Sequence, residues 1–285
     1  MGVFFSALAA LSWGIGDFLI QRSARKFGDW EALFFITIIG SIILLPFVWD
    51  DVVHLTATEW LILSGTSALI LTASLFDFNA LRVGKIAVIE PIFAMEIPIT
   101  IALASFFIGE KLTFLQFTLV ALLLLGIFLV TNKRFGQFRK KLIEKGVWFA
   151  VIATVGMGAS NFMFGIASRA TDPLMINWFT SVFMATATLG YLLYKGHAGE
   201  IINHWRHSKR LLLGVGLIDN MAWVAYSIST LHMPIAVATA LTESYIALAA
   251  ILGITLNKEK LRLHQYTGLI LTVVAACALA FTVEE

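Results

Sequence analysis

Charge is what this sequence has least of. Of its 285 residues 13% are charged, where a soluble domain carries about 25%. With 59% hydrophobic residues, the deficit is too large for a soluble core, and lipid must be part of the solvent. Cysteine is nearly absent: Cys277 stands alone in an apolar run, which excludes a disulfide framework and a cysteine metal site. No basic segment precedes the first apolar run, which begins at Val3, so that run is read as a span and not a cleaved leader. There is no HExxH, no phosphate-binding glycine loop, no Ser/His/Asp constellation and no aspartate-rich cluster. No cofactor, no resident metal, no catalytic residue and no nucleic-acid partner are therefore expected, and ATP-driven pumping by this chain alone is excluded.

What is present is long apolar runs. A helix needs about 20 mostly apolar residues to cross a bilayer. Such runs fall near 3–21, 31–49, 60–81, 86–108, 113–131, 147–167, 173–194, 211–230, 234–256 and 264–283. They are continuous and not alternating, which favours helices over a barrel. The expected fold class is an all-α polytopic membrane protein of ten transmembrane helices.

The bases partition sharply on this plan. The loops after spans 1, 3, 5, 7 and 9 hold eighteen of the twenty lysines and arginines, and the other side has only Lys111 and Arg169. Basic loops stay cytoplasmic, so both termini are expected outside the cytoplasm, in a multi-pass protein of the cell (inner) membrane. A miscounted span would have scrambled the partition.

The chain also repeats itself. Glu110-Lys111-Leu112-Thr113-Phe114-Leu115-Gln116-Phe117-Thr118 opens span 5, and Glu259-Lys260-Leu261-Arg262-Leu263-His264-Gln265-Tyr266-Thr267 opens span 10, with five of nine positions identical. Gly14-Ile15-Gly16-Asp17-Phe18 aligns more faintly with Gly158-Ala159-Ser160-Asn161-Phe162, and Arg25 with Arg169. The expected organisation is a first five-helix repeat at 1–131, a basic linker at 132–146 and a second repeat at 147–285. Five is odd, so the second copy enters the membrane inverted, an arrangement that suits alternating access. Phe138, Leu142 and Ile143 would let the linker lie on the cytoplasmic surface among membrane lipids.

Two five-span repeats, each with Glu-Lys-Leu before its last helix, resemble the ten-span EamA-type branch of the drug/metabolite transporter superfamily. The resemblance covers the whole chain. It implies helices 1–4 and 6–9 around a central cavity, helices 5 and 10 behind them, and carriage of a small-molecule substrate. Span 4 departs from it, with the dense acid–proline pattern Glu90-Pro91 and Glu96-Ile97-Pro98.

Six acids lie within spans (Asp17, Asp77, Glu90, Glu96, Asp219 and Glu243) and no lysine or arginine does. A charge at mid-helix costs about 2.5–3.5 kcal/mol on insertion scales, so such groups face the bundle interior or water. Spans 2, 5, 6, 7 and 10 have none beyond their ends, which suggests a peripheral place for those helices. Trp13 shares a face with Asp17, and Trp223 with Asp219, at i, i+4 spacing, and rings attract cations. The candidate substrate-binding set is Glu96, Glu243, Asp219, Asp17, Trp13, Trp223, Tyr245 and Asn161. Glu96, Glu243 and Glu90 are the candidates for proton coupling.

Each signal has a plainer alternative. Asp77 with Arg82, and Glu90 with Lys85, can be interface pairs. Glu96 and Glu243 can bond carbonyls, such as those freed by Pro91 and Pro98. Gly14/Gly16, Gly156/Gly158 and Gly214/Gly216 read as close helix approaches. Glu110 and Glu259 read as caps of helices 5 and 10. His197, His204 and His207 lie in a basic, Trp205-containing loop, 195–210, that fits an interfacial segment better than a metal site. Spans 5 and 10 are apolar enough to face lipid or a second copy in a homodimer. A secondary carrier of a cation or zwitterion, such as an amine or amino acid, leads. The alternative is a membrane-embedded enzyme acting on a lipid or isoprenoid through buried carboxylates, and a receptor or scaffold is a third reading.

Overall fold

The structure, a computed structural model, describes residues 1–84, 89, 92–131, 146–246 and 262–283. These form ten helices and, among the described residues, no strand: α1 Gly2–Phe27, α2 Asp29–Val52, α3 Ala57–Val83, α4 Glu96–Ile108, α5 Phe114–Thr131, α6 Val147–Ala170, α7 Pro173–Tyr194, α8 Ala198–His232, α9 Ile235–Thr242 and α10 Leu263–Ala280. Seven of them are long and apolar enough to cross a membrane, namely α1, α2, α3, α6, α7, α8 and α10. Helices α4 and α9 adjoin residues outside the described set. The chain is a multi-pass helical membrane protein. The linker 132–145 and the Glu259-Lys260-Leu261 motif also lie outside the described residues.

Local chemistry fixes the helix boundaries. Gly28, with φ 92°, turns α1 into α2 in a single residue. Thr56 and Glu59 form a reciprocal capping box at the start of α3, which satisfies two orphan donors at once. Asp172 caps α7 by accepting from Leu174 N–H at 2.7 Å, with Pro173 at the first helical position.

The loop expected at 195–210 is a helix instead. Helix α8 runs through it and breaks only at Ser208, where φ is −137°. Lys26 Nζ donates to Ser208 Oγ at 2.6 Å at this break. The high charge of the stretch concealed its helical continuity, because an interfacial arm need not be apolar all round.

The packing obeys an internal two-fold relation. Helix α1 packs on α8 as α3 packs on α6, while α2 lies on α7 and α5 on α10. Exchanging the halves carries each pair onto another pair or onto itself. The relation reaches individual atoms at two breaks. Met95 N–H donates to Ile92 O at 3.0 Å and Ile97 N–H to Ala94 O at 3.3 Å; in the second half Ser244 N–H donates to Leu241 O at 3.3 Å and Ile246 N–H to Glu243 O at 3.5 Å. These are i→i−3 bonds at a common offset, the tighter spacing of a 3₁₀ turn. The Ala94 carbonyl, expected to be free for a glutamate, is taken by Ile97.

Candidate transport chamber

Six helices enclose a central cavity of about 90 Å³. Helix α1 supplies Trp13 and Asp17, α3 supplies Ser74 and Asp77, and α8 supplies Asp219, Asn220 and Trp223. Thr37 of α2 and Asn177, Thr180 and Ser181 of α7 complete the polar lining, and Met157 and Phe164 enter from α6. Among the described residues, no lysine, arginine or histidine lines it. Pockets that hold drug-sized ligands occupy about 300–1,000 Å³, so the space in this chamber suits a small solute.

Of the residues expected at a site, Trp13, Asp17, Asp219 and Trp223 come together on this cavity. Trp13 and Trp223 meet edge to face with centroids 5.2 Å apart, and Phe164 lies 4.6 Å from Trp223. Tyr226 is the fourth ring, 5.8 Å from Trp13. Its hydroxyl donates to Asn161 O at 2.9 Å and shares a hydrogen bond with Thr239 Oγ1, also at 2.9 Å. The ring cluster thus links the chamber to a second polar group.

That second group holds Glu96 at the start of α4, Asn161 of α6 and Glu243 at the end of α9. Asn161 Nδ2 donates to Glu96 Oε2 at 3.1 Å. Both glutamates are buried, and neither lines the cavity itself. Even so, the Glu96 carboxyl is within electrostatic reach of Glu243, Asp77 and Asp17. Tyr245 is buried two residues beyond Glu243 and away from the cavity lining. Glu90 lies outside the described residues.

Two expectations are corrected here. Asp77 does not pair with Arg82. Arg82 Nε instead meets Asp29 Oδ1 at 2.9 Å, and Asp77 faces the chamber, within electrostatic reach of Asp17, Asp219 and Glu243. Nor are spans 2, 6 and 7 peripheral. Spans 2 and 7 bring hydroxyls and an amide, and span 6 brings Met157 and Phe164, where spans 1, 3 and 8 bring carboxylates. The signal was present in α7 as Asn177, Thr180, Ser181 and Met184, an i, i+3, i+4, i+7 stripe on one helix face. Side-chain bonds stitch this polar wall together. Asn220 Nδ2 donates to Ile36 O at 3.0 Å, Ser181 Oγ to Asn220 Oδ1 at 3.3 Å, and Ser67 and Thr180 hydroxyls meet at 3.1 Å.

Glu110 is also reassigned. It caps α9 and not α5, accepting from Ile235 N–H at 3.1 Å and Ala236 N–H at 3.3 Å. Arg169 Nη1 donates to Glu110 Oε1 at 2.8 Å, and the same guanidinium donates to Thr230 O and Met233 O at 3.0 Å each. Arg25, its partner under the two-fold relation, donates likewise to Arg82 O at 3.2 Å and Gly84 O at 2.8 Å. The start of α5 is capped by Thr113 and Gln116 reciprocally.

The EamA-like transporter family model matches residues 1–132 and again 144–281. The chain belongs to the EamA-like transporter family. As a member of that family it is a membrane transporter of the drug/metabolite type. A solved crystal structure with 15% identity superposes with a TM-score of 0.75, covering 100% of this chain and 99% of that one. At that identity the likeness speaks for the fold alone. No curated protein matches the chain significantly.

Proposed function

We propose that this EamA-like protein is a secondary transporter that moves a small cationic or zwitterionic solute by alternating access, driven by protons. One observation carries the reading: three aspartates and two indoles from both halves converge on a chamber whose lining includes, among the described residues, no basic side chain. A cation in that place would meet carboxylates on one side and ring faces on the other. The proton-binding groups are Glu96 and Glu243, with Glu90 as the third candidate. The moving bodies are the halves 1–131 and 147–285, joined by the basic linker 132–146. With the base-rich loops inside the cell, both termini lie outside, in the cell membrane.

Uptake into proteoliposomes tests this directly. A panel of amines, amino acids and organic anions is offered with and without a proton gradient. Accumulation of a cation or zwitterion is expected, and Asp219→Asn is expected to lower it at least tenfold while the protein still reconstitutes. Transport confined to organic anions, or left untouched by Asp219→Asn, removes the aspartates from recognition. Glu96→Gln with an unchanged pH profile removes that residue from coupling.

A further inference from the structure

On the base-rich face, away from the chamber, the structure gathers four donors that the transport reading leaves unused. Glu31 sits in the first turn of α2, its side chain 4% exposed. His204 Nδ1 lies 2.5 Å from Glu31 Oε2, and His197 Nδ1 lies 3.9 Å from Glu31 Oε1 and 3.5 Å from Glu200 Oε2. One donor atom from each of Glu31, His197 and Glu200 can be chosen so that all three fall within 4.8 Å of one another. The three arm residues 197, 200 and 204 stand at i, i+3 and i+7, so a single face of the arm before the Ser208 break presents them all. Glu31 arrives from a different helix.

We propose that Glu31, His197 and Glu200 form a binding site for a divalent transition-metal ion, with His204 orienting Glu31. The spacing suits it. Zinc–nitrogen and zinc–oxygen bonds near 2.0–2.2 Å set neighbouring tetrahedral ligands about 3.3–3.6 Å apart; the gaps from His197 are 3.5 and 3.9 Å, and the three donors, all within 4.8 Å, reach that spacing by rotation of the half-exposed Glu200 side chain. The donor set suits it too, since an imidazole nitrogen favours transition metals such as Zn²⁺ over Mg²⁺ and Ca²⁺, while the carboxylates also accept Mn²⁺. Three protein ligands leave a fourth position for water. His204 holds the far oxygen of Glu31, which is the second-shell arrangement that fixes a ligating carboxylate. Beside the buried Glu31 carboxylate, the His197 imidazole and the Glu200 carboxylate offer a cation one nitrogen and a further oxygen donor. The three histidines lie in a basic stretch that gives no metal signal by itself, and the carboxylate that completes the site, Glu31, is remote in sequence. A bound ion would fasten the arm of α8 to the end of α2, a few residues from Leu33, Ile36 and Thr37 of the chamber wall.

The test uses the purified full chain in detergent, with no oligohistidine tag and after removal of metal by chelator. Titration calorimetry and melting temperature are read with Zn²⁺, Mn²⁺, Mg²⁺ and Ca²⁺ in turn. One equivalent of Zn²⁺ or Mn²⁺ is expected to bind and raise the melting temperature. His197→Gln and Glu200→Gln are expected to weaken binding about 100-fold or more with the metal-free melting temperature unchanged, because both side chains are about half exposed. His204→Gln should weaken it by about 10- to 100-fold, and His207→Gln, whose ring faces Asn203 O, should not. Equal binding of Mg²⁺ and Zn²⁺ would overturn the proposal, as would wild-type affinity in His197→Gln. The outcome is independent of solute uptake, so it can fail without touching the transport reading.

Discussion

Hydroxyl groups show why some residues announced themselves and others did not. An isolated carboxylate in an apolar run is rare and costly, so Asp17, Asp219, Glu96 and Glu243 stood out at once. A serine or threonine satisfies itself within its own helix, as Thr37 does on Leu33 O at 2.8 Å and Ser67 on Leu63 O at 2.7 Å. Its presence therefore says nothing about which way it faces, and Thr37, Ser74, Thr180 and Ser181 went unnoticed. Tyr226 was missed for another reason: it is fully buried and its role comes from two partners in other helices. Tyr226→Phe leaves Asn161 O short of a donor and Thr239 Oγ1 short of its partner in a buried site. It is expected to destabilise the protein by about 1–3 kcal/mol, read as a lower melting temperature, and to slow transport. An unaltered melting point would show that those bonds contribute nothing net.

At the scale of elements, the duplicated motif explains how the outermost helices hold together. Gln116 caps α5, and its amide reaches Thr282 Oγ1 beyond the end of α10 at 3.4 Å; Gln265 reaches Val130 O at the end of α5 at 2.8 Å. Identity at these two positions was legible in the sequence, but the exchange between helices was not. The two helices cross where Gly126 faces Gly268. A Cβ on Gly126 would stand 2.7 Å from Thr272 N and 2.8 Å from Gly268 O, and one on Gly268 would stand 2.7 Å from Gly126 O. Backbone atoms cannot step aside, so Gly126→Ala is expected to cost about 1–3 kcal/mol, whereas Gly190→Ala, with open space around it, should cost little. Equal melting temperatures for the two variants would refute the crossing as a constraint. Of the glycine pairs expected to permit close approach, Gly156, Gly158 and Gly216 do so, against Ala73, Ile99 and Ile39, while Gly214 faces open space. A small residue marks a crossing only if a neighbour arrives there. The outward faces of α5 and α10 keep Phe114, Leu115, Phe117, Ile270 and Val274 exposed, so this wall remains our proposed place for lipid or a homodimer partner.

For the molecule as a whole, the question is how access would alternate. On the side holding Arg169 and Glu110, four hydrogen bonds and the Arg169–Glu110 ion pair tie together the ends of α6 and α8, the start of α9 and Glu110 of the Glu-Lys-Leu segment. We propose that this cluster closes the chamber on the face expected outside the cell. Glu110→Ala removes the ion pair and uncaps α9 together. In a Cys277→Ser background carrying Asn177→Cys, it is expected to raise labelling by a membrane-impermeant maleimide from outside several-fold. Labelling that stays at the parent rate would assign closure to other contacts.

What the sequence determined by itself is what depends on solvent. Apolar length, the sidedness of bases and the rarity of acids all follow from the cost of placing groups in hydrocarbon, and this cost is paid residue by residue. The helical plan, the duplication and most of the acids at the chamber were therefore readable along the chain. The tertiary structure alone decided which groups meet: Arg82 with Asp29 and not Asp77, Glu110 with α9 and not α5, Glu31 with the histidines of the arm. Those choices rest on separations of many tens of residues in sequence but a few ångströms in space. No local pattern encodes them, because a partner's direction is fixed only once two helices have packed.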